Sequence, residues 1–157
     1  MTDLHLHDER TLLGATVIST FKSDDRSRVE LIEHAQHRWV LKRYHGRALK
    51  LWLYHLLRLS PAWREHRAAA RLQALNLRAN MPRPPVNVGP PWRFEQTLVL
   101  PYVAGLNLHH WLKQHTKPDA RRPVLEAVGC QIGRLTAAGW INRDLKPSNL
   151  IIDEACE

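Results

Sequence analysis

The sequence predicts an α+β fold arranged in two lobes. Three observations lead to this prediction. Short β-branched runs occupy residues 15–45, two helical patterns follow in 47–77, and a second set of strands and then helices fills the rest of the chain. Because strands and helices come in separate groups rather than in alternation, a parallel βαβ sheet is not expected.

The N-terminal strands are expected to form a three-stranded antiparallel meander. Residues 15–22 are apolar and β-branched, which favours a strand. The polar run 23–28 that follows predicts a turn. Residues 29–32 and 38–44 predict two further strands, separated by the short segment 33–37.

Residues 47–59 predict a helix, because they contain neither glycine nor proline and their apolar positions recur at helical spacing. One face carries Arg47, Lys50, Tyr54 and Arg58. The opposite face carries Leu49, Trp52, Leu53, Leu56 and Leu57. Either the basic face lies on an anionic membrane surface, or the apolar face packs on the first lobe and the basic face is solvated. Packing is favoured, because one short helix binds a membrane only weakly.

The remaining elements complete the two lobes. Ser60 and Pro61 suit the cap and first turn of a second helix that reaches residue 77, and the proline-rich stretch 81–91 predicts a surface connection. Strands are expected in 94–102, helices in 106–115 and 121–138 with Gly139 at a left-handed end, and a strand in 150–152. We therefore predict a small lobe, 1–102, with 47–59 as an inserted basic helix, and a partial large lobe, 103–157.

Composition limits the class of protein. The chain has 157 residues, 44% of them hydrophobic, so a packed domain is expected rather than a disordered segment. Its net charge of +8 and pI near 10.1 favour an anionic partner. Two cysteines cannot form a disulfide scaffold, which favours a reducing, cytoplasmic location. The sequence shows no secretory signal and no apolar run of about 18 residues, so no membrane-spanning helix is expected.

The segment 140–153 carries the most specific chemical pattern in the chain. It contains Arg-Asp-Leu-Lys-Pro-Ser-Asn followed by Leu-Ile-Ile. This resembles the catalytic loop of protein kinases, in which Arg-Asp, four intervening residues and Asn precede a short apolar strand. The resemblance implies that Asp144 is the base for an acceptor hydroxyl, that Lys146 belongs to the catalytic set, and that Asn149 binds a metal ion.

Two upstream positions fit the same resemblance. The strand sequence Val-Leu-Lys that ends at Lys42 resembles the third-strand motif in which a lysine binds the α- and β-phosphates of the nucleotide. Glu65 lies in the helix that would supply the partner of this lysine; the alternative is a solvated surface carboxylate. A protein-kinase-like fold with ATP and Mg2+ as cofactors follows from the resemblance.

Residues 98–108 resemble the hinge of a kinase followed by its next helix. The resemblance implies that backbone groups of Pro101, Tyr102 and Val103 meet the adenine ring. Pro101 itself has no N–H to donate.

One branch of the superfamily fits best. Residues 42–89 resemble the lipopolysaccharide kinases, the Kdo/WaaP family, in a long basic helix after the lysine strand, then Ser-Pro-Ala-Trp-Arg-Glu-His-Arg-Ala-Ala-Ala-Arg-Leu, then Leu-x-x-x-Met-Pro-Arg-Pro. This resemblance implies a phosphotransferase that acts on a sugar hydroxyl of the lipopolysaccharide core or a similar glycolipid. It also implies a location at the inner face of the cytoplasmic membrane.

The sequence departs from the kinase pattern in three places. The turn 23–28 lacks glycine, so side chains of Arg26, Ser27 and Arg28 are expected to bind the phosphates that backbone N–H groups bind in protein kinases. Asn142 stands where the loop motif has histidine. Asn149 is followed by only eight residues, too few to reach the Asp-Phe-Gly segment that binds magnesium, so the chain is expected to be truncated.

Two alternatives to a glycolipid kinase stay open. Lys146 is a feature of Ser/Thr protein kinases and keeps a protein acceptor possible. The missing metal-binding aspartate favours a truncated, inactive module that binds nucleotide or a partner. A nucleic-acid partner is not expected, because the basic charge has no recognition motif beside it. The ten histidines have no partners at ligand spacing, so they do not predict a structural metal.

Overall fold

The computed structural model describes residues 15–45, 48–88, 95–141 and 145–153. Two compact units are distinguished within these ranges. The first comprises Asn80–Tyr102 and the described part of Met1–Ala70; the second comprises Arg71–Ala79 and the described part of Val103–Glu157. None of the helices in the described ranges is both long and apolar enough to cross a membrane.

A five-stranded antiparallel sheet forms the first unit. Its strands are β1 (Thr16–Ser23), β2 (Ser27–His34), β3 (His37–Tyr44), β4 (Val86–Val88) and β5 (Glu95–Pro101), in the spatial order β1-β2-β3-β5-β4. The predicted meander is confirmed. β4 lies within 81–91, which the sequence predicts to be a surface connection only. The short strand is tolerated among prolines because it pairs on one side alone, with β5.

The β2–β3 register determines which side chains share a face of the sheet. Pairing is unbroken from Ser27 opposite Tyr44 to His34 opposite His37. Successive side chains of a strand point to opposite faces. Ile32 and Leu41 therefore lie on the face where they pack with Val99 in a buried cluster, while Lys42 lies on the other.

Two helices follow the third strand. Helix α1 (Ala48–Leu56) and helix α2 (Pro61–Ala74) are shorter than predicted. Each ends where a non-glycine residue takes a left-handed conformation, Arg58 at φ 54° and Asn76 at φ 54°. The Leu59 N–H donates to the Tyr54 carbonyl and the Leu77 N–H to the Leu72 carbonyl, which closes both helix ends in Schellman fashion.

The predicted packing face of α1 is wrong. Leu51 is buried at 8% exposure, whereas Leu49 and Leu53, on the face expected to pack, are 72% and 48% exposed. The helix is oriented by His55, whose Nδ1 lies 2.7 Å from Gln96 Nε2 in β5 and accepts from Trp63 Nε1 at 3.2 Å. These hydrogen bonds turn the Leu51 side of α1 inward.

The second unit contains helices α3 (Leu108–Gln114) and α4 (Pro118–Ala137) and a two-stranded sheet of β6 (Leu106–Asn107) and β7 (Ile151–Ile152). The helix expected over 106–115 begins two residues late, because Asn107 caps it by accepting from the His110 N–H at 2.9 Å. Leu108, Trp111, Val124 and Ile152 form its buried core. Gly139, at φ 76°, ends α4 as predicted.

Candidate active site

A lysine of β3 and a glutamate of α2 form an ion pair. Lys42 Nζ lies 2.6 Å from Glu65 Oε2, and the two side chains are 30% and 34% exposed. The two residues are 23 positions apart in the sequence, so the tertiary packing of the helix on the sheet brings them together. Ion pairs this exposed contribute about 0.2–1 kcal/mol to stability. Its main consequence is that it holds an ammonium group in a defined place.

Tyr44 completes this arrangement. Its hydroxyl donates to the same Glu65 Oε2 at 2.5 Å, and Lys42 Nζ lies 5.4 Å from the centre of its ring. Burial, followed by the negative charge of Glu65, raises the pKa of the Tyr44 hydroxyl well above its usual range. Tyr44 therefore remains a proton donor and restricts the Glu65 carboxylate to the position in which it meets Lys42.

The turn between β1 and β2 is organised around Asp24. Its Oδ1 accepts from the backbone N–H groups of Arg26 at 2.9 Å and Ser27 at 2.6 Å, and its Oδ2 lies 2.7 Å from Lys22 Nζ. The Lys22 hydrogen bond, then the two N–H groups, hold the pKa of the Asp24 carboxyl well below its usual range. An internal carboxylate thus occupies backbone donors that a glycine-rich turn offers to phosphates.

Arg26, Ser27 and Arg28, the three residues expected to bind phosphates, differ in exposure and in the face of the sheet on which they lie. Arg26 is exposed at the tip, and Ser27 is buried and lies on the same sheet face as Lys42. Arg28 lies on the opposite face, with its Nη2 2.7 Å from Oε1 of the buried Glu30. The structure therefore does not bring Arg28 together with Lys42.

The expected hinge is held mainly through its backbone. The Pro101 carbonyl accepts from Asn80 Nδ2 at 2.8 Å, and the Tyr102 N–H donates to the Arg38 carbonyl at 3.2 Å. Within the described ranges, the backbone groups of Val103 have no hydrogen-bond partner. Of the three residues, Val103 is the one whose N–H and carbonyl are both without a partner in the described ranges.

Part of the expected catalytic loop can be placed. Asp144, with Asn142, lies outside the described residues. Lys146 is exposed, and its carbonyl accepts from the Asn149 N–H at 2.8 Å, which closes the 3-10 turn Pro147–Asn149. Asn149 is exposed at the end of this turn.

The segment after the loop is held by the β6–β7 pair. Leu106 lies opposite Ile152, and the Leu108 N–H donates to the Leu150 carbonyl at 2.8 Å. Gly105 precedes β6 at φ +150°, and a Cβ there would overlap the Ile152 carbonyl oxygen. Glycine is therefore needed for β7 to approach, and β7 in turn fixes the end of the loop.

A magnesium ion is implied by the kinase resemblance, and its donors can be examined in the described ranges. Asn149 has one amide oxygen, which accepts from the Ser148 hydroxyl at 3.4 Å. The described residues contain no group of three or more His, Cys, Asp or Glu side chains that could hold a metal ion. Since Mg2+ is usually bound through carboxylates and phosphates, these residues do not form a magnesium site by themselves.

Sequence reasoning missed three residues that shape the site: Tyr44, Asp24 and Gly105. Tyr44 follows Lys42 by two positions, and residues two apart in a strand lie on the same face of the sheet. This alternation is the sequence signal that could have identified Tyr44. Asp24 lies in a turn where Asp commonly accepts from the N–H groups two and three residues ahead. The need for Gly105 had no local signal, because it arises from a strand 46 residues later in the chain.

No protein-family model matches the chain, and no curated protein resembles it in sequence. Solved structures do resemble it. The kinase domain of Mycobacterium tuberculosis PknI, in a double-mutant form, superposes with a TM-score of 0.53 over 90% of this chain and 56% of that domain, at 16% identity. The unmutated domain gives 0.51 over 89% and 54%, at 17% identity. The chain has a protein-kinase-like fold.

The chain spans a little over half of the kinase domains that it matches. The predicted fold class, an antiparallel small lobe with an incomplete helical lobe, is confirmed. At this identity the likeness establishes the fold alone. The lipopolysaccharide kinase branch, the nucleotide and the acceptor remain predictions from the sequence.

Proposed function

We propose that this chain is the nucleotide-binding part of an ATP-dependent phosphotransferase that transfers the γ-phosphoryl group to a hydroxyl. The observation that carries the proposal is the ion pair of Lys42 and Glu65. In kinases a third-strand lysine, held by a helix glutamate, binds the nucleotide phosphates. A fold alone does not imply an activity, and the Arg-Asp-Leu-Lys-Pro-Ser-Asn loop sequence supplies independent support.

The proposed roles follow from the chemistry of the residues. Lys42 binds the α- and β-phosphates, Arg26 and Ser27 approach the phosphates from the turn, and Val103 binds adenine through its backbone. The acceptor oxygen attacks the γ-phosphorus and its proton passes to Asp144. The bond from that phosphorus to the bridging oxygen breaks and ADP leaves.

A glycolipid hydroxyl, such as that of a lipopolysaccharide-core sugar, is the acceptor that we propose. Support comes from the resemblance of residues 42–89 to the lipopolysaccharide kinases. A Ser/Thr side chain is the alternative acceptor, supported by Lys146 two residues after Asp144. We place the protein in the cytoplasm, because ATP is available there and two cysteines suit a reducing compartment.

A nucleotide-binding module without turnover is the second candidate function. One specific observation favours it: the described residues do not form a magnesium site by themselves. Both candidate functions use the nucleotide site around Lys42. They differ in whether the γ-phosphoryl group of ATP is transferred to an acceptor.

Calorimetric titration of ATP into the purified chain tests the nucleotide site. Lys42→Ala and Glu65→Ala should each weaken binding, and together they should weaken it by less than the product of the two effects, because the residues act as a pair. Lys50→Ala, at an exposed lysine of α1, is the matched control and should bind as the wild type does. If the effects of the two substitutions on ATP affinity are fully independent, Lys42 and Glu65 do not act as a pair in nucleotide binding.

Phosphate transfer is tested with γ-labelled ATP and two acceptor sets, lipopolysaccharide-core oligosaccharides and Ser/Thr peptides. In a polypeptide extended beyond residue 157 through a metal-binding carboxylate segment, we expect label on the sugar and its loss in Asp144→Ala, since general bases contribute about 10²–10⁴-fold. Label on the peptides alone would replace the glycolipid with a protein acceptor. ATP binding without label on any acceptor would favour the binding module.

A further inference from the structure

Helix α1 is apolar on both sides. Leu51 faces inward and is buried. The outward side presents a row of leucines at helical spacing that continues through the turn after the helix. This outward leucine face consists of Leu49, Leu53, Leu56, Leu57 and Leu59, which are between 48% and 72% exposed. Contiguous exposed apolar side chains on a helix mark a surface that another body covers.

The orientation that exposes these leucines is fixed by polar contacts. His55 is held by Gln96 and Trp63, and its Nε2 lies 2.6 Å from the Asn87 side-chain amide. These partners lie on β5, α2 and β4, so hydrogen bonds from three elements hold α1 through His55. Rolling α1 to bury the leucines would break all three contacts.

The sequence around this helix is strongly basic. Between positions 34 and 94 the sequence holds twelve Lys and Arg residues and a single acidic residue, Glu65. That carboxylate is already paired with Lys42. Lys50 on α1 and Arg58 in the turn after it are exposed. Lys50 Nζ lies 5.4 Å from the centre of the Tyr54 ring, and the Arg58 guanidinium lies 5.2 Å from the centre of the Trp63 ring. The exposed charged side chains on α1 and the turn after it, Lys50 and Arg58, are therefore both cationic.

We propose that the outward leucine face of α1 docks on an anionic lipid surface, with the helix parallel to the membrane plane. Leucines enter the boundary between headgroups and acyl chains, while Lys50 and Arg58 meet the lipid charges at the rim. A second copy of the chain is a poorer occupant, because two faces with cationic rims would repel each other. A neutral bilayer lacks the charge that a helix this short needs to bind.

This proposal does not rest on the phosphotransferase function. It predicts co-sedimentation of the purified chain with vesicles of phosphatidylcholine and phosphatidylglycerol in equal amounts, and little with phosphatidylcholine alone. Binding should fall as salt rises, because the Debye length shortens. Absence of binding to the mixed vesicles, or equal binding to both kinds, would overturn the proposal.

Two variants separate the apolar and the charged contributions. The triple variant Leu49→Ser, Leu53→Ser, Leu56→Ser and the double variant Lys50→Glu, Arg58→Glu should each lower the fraction bound at least tenfold. Matched controls in the second unit are Leu125→Ser, at another exposed leucine, and Lys113→Glu with Arg122→Glu. The controls should bind as the wild type does. Unchanged vesicle binding by the triple variant would show that the leucine face does not bind the membrane, and would overturn the proposal.

Two further measurements keep the result interpretable. Circular dichroism melting must show that both α1 variants remain folded, which is expected since the altered side chains are exposed. Sedimentation velocity without lipid tests the other occupant. A concentration-dependent dimer that the triple variant abolishes would assign the face to a second copy and overturn the lipid proposal.

Discussion

Glu65 accepts two hydrogen bonds at one carboxylate oxygen, and this limits where its charge can lie. Lys42 Nζ and the Tyr44 hydroxyl both donate to Oε2, at 2.6 and 2.5 Å. Both donors belong to one face of β3. The tyrosine therefore acts as a positioning residue for the proposed nucleotide lysine, and it does so without adding charge to the site.

His55 leads to a prediction about pH. Burial lowers the pKa of its imidazole from the ordinary value of 6.5, because removal from water disfavours the charged ring. The folded state therefore binds fewer protons than the unfolded state. Stability from this residue is complete above pH 6.5 and is lost as the pH falls below that value.

Urea unfolding between about pH 5 and about pH 8 measures this dependence. His55→Asn should be less stable than the wild type near neutral pH and should lose less stability on acidification. His109→Asn, at an exposed histidine of α3, is the control and should retain the wild-type profile. A His55→Asn profile parallel to the wild type would show that His55 does not cause the loss.

Arg26 and Arg28 are separated by one residue and differ in environment. Arg28 is paired with the buried Glu30, which Arg43 Nη1 also approaches at 3.2 Å. Removing a partner of a buried carboxylate is destabilising. We expect Arg28→Ala to lower stability by about 1–3 kcal/mol while ATP affinity changes little. Arg26→Ala should instead weaken ATP binding and change stability little. Urea unfolding and calorimetric titration on the same samples measure the two effects.

At the scale of elements, the β6–β7 pair determines the position of the proposed catalytic loop in its unit. Two residues in each strand make this sheet, so it has little stability of its own. Its support comes from packing of Ile152 with Leu108, Trp111 and Val124. The loop end is thereby attached to the hydrophobic core of the second unit.

Gly105→Ala tests this attachment. A Cβ at this position would collide with backbone of β7, and φ +150° is strained for alanine, so we expect a loss of about 1–3 kcal/mol. Amide exchange of Leu108 should accelerate because its partner, the Leu150 carbonyl, is displaced. Gly129→Ala in α4 is the matched control: its Cβ would meet nothing within 4 Å, and alanine should stabilise the helix by about 1 kcal/mol. Equal stability of both variants would contradict the close approach of β7.

At the scale of the whole molecule, the chain covers 54–56% of the kinase domains that it resembles. The described residues contribute an amide oxygen at Asn149 toward a metal and no cluster of carboxylates. We therefore expect residues 1–157 to bind ATP without appreciable magnesium-dependent transfer of phosphate. The measurement is calorimetric binding paired with a γ-label transfer assay on one preparation. Transfer by this polypeptide at rates typical of kinases, about 1–100 per second, would contradict the expectation.

Local sequence determined the fold class and the existence of nearly all elements. The β-branched runs, the cap at Ser60, the proline at the start of α2 and Gly139 each act within a few residues, so their outcome is readable from the chain alone. The pair of Lys42 and Glu65 was also expected, because the resemblance of the Val-Leu-Lys strand and of the Arg-Asp-Leu-Lys-Pro-Ser-Asn loop to kinase motifs implied it.

Tertiary structure decided which face each element presents. The apolar pattern of α1 suggested that Leu49 and Leu53 pack, yet the hydrogen bonds of His55 to distant strands bury Leu51 instead. The same holds for Arg28, whose strand register places it with Glu30, and for Gly105, which a strand far along the chain requires. Periodicity shows that a helix has an apolar face, but partners distant in sequence select the face that is buried.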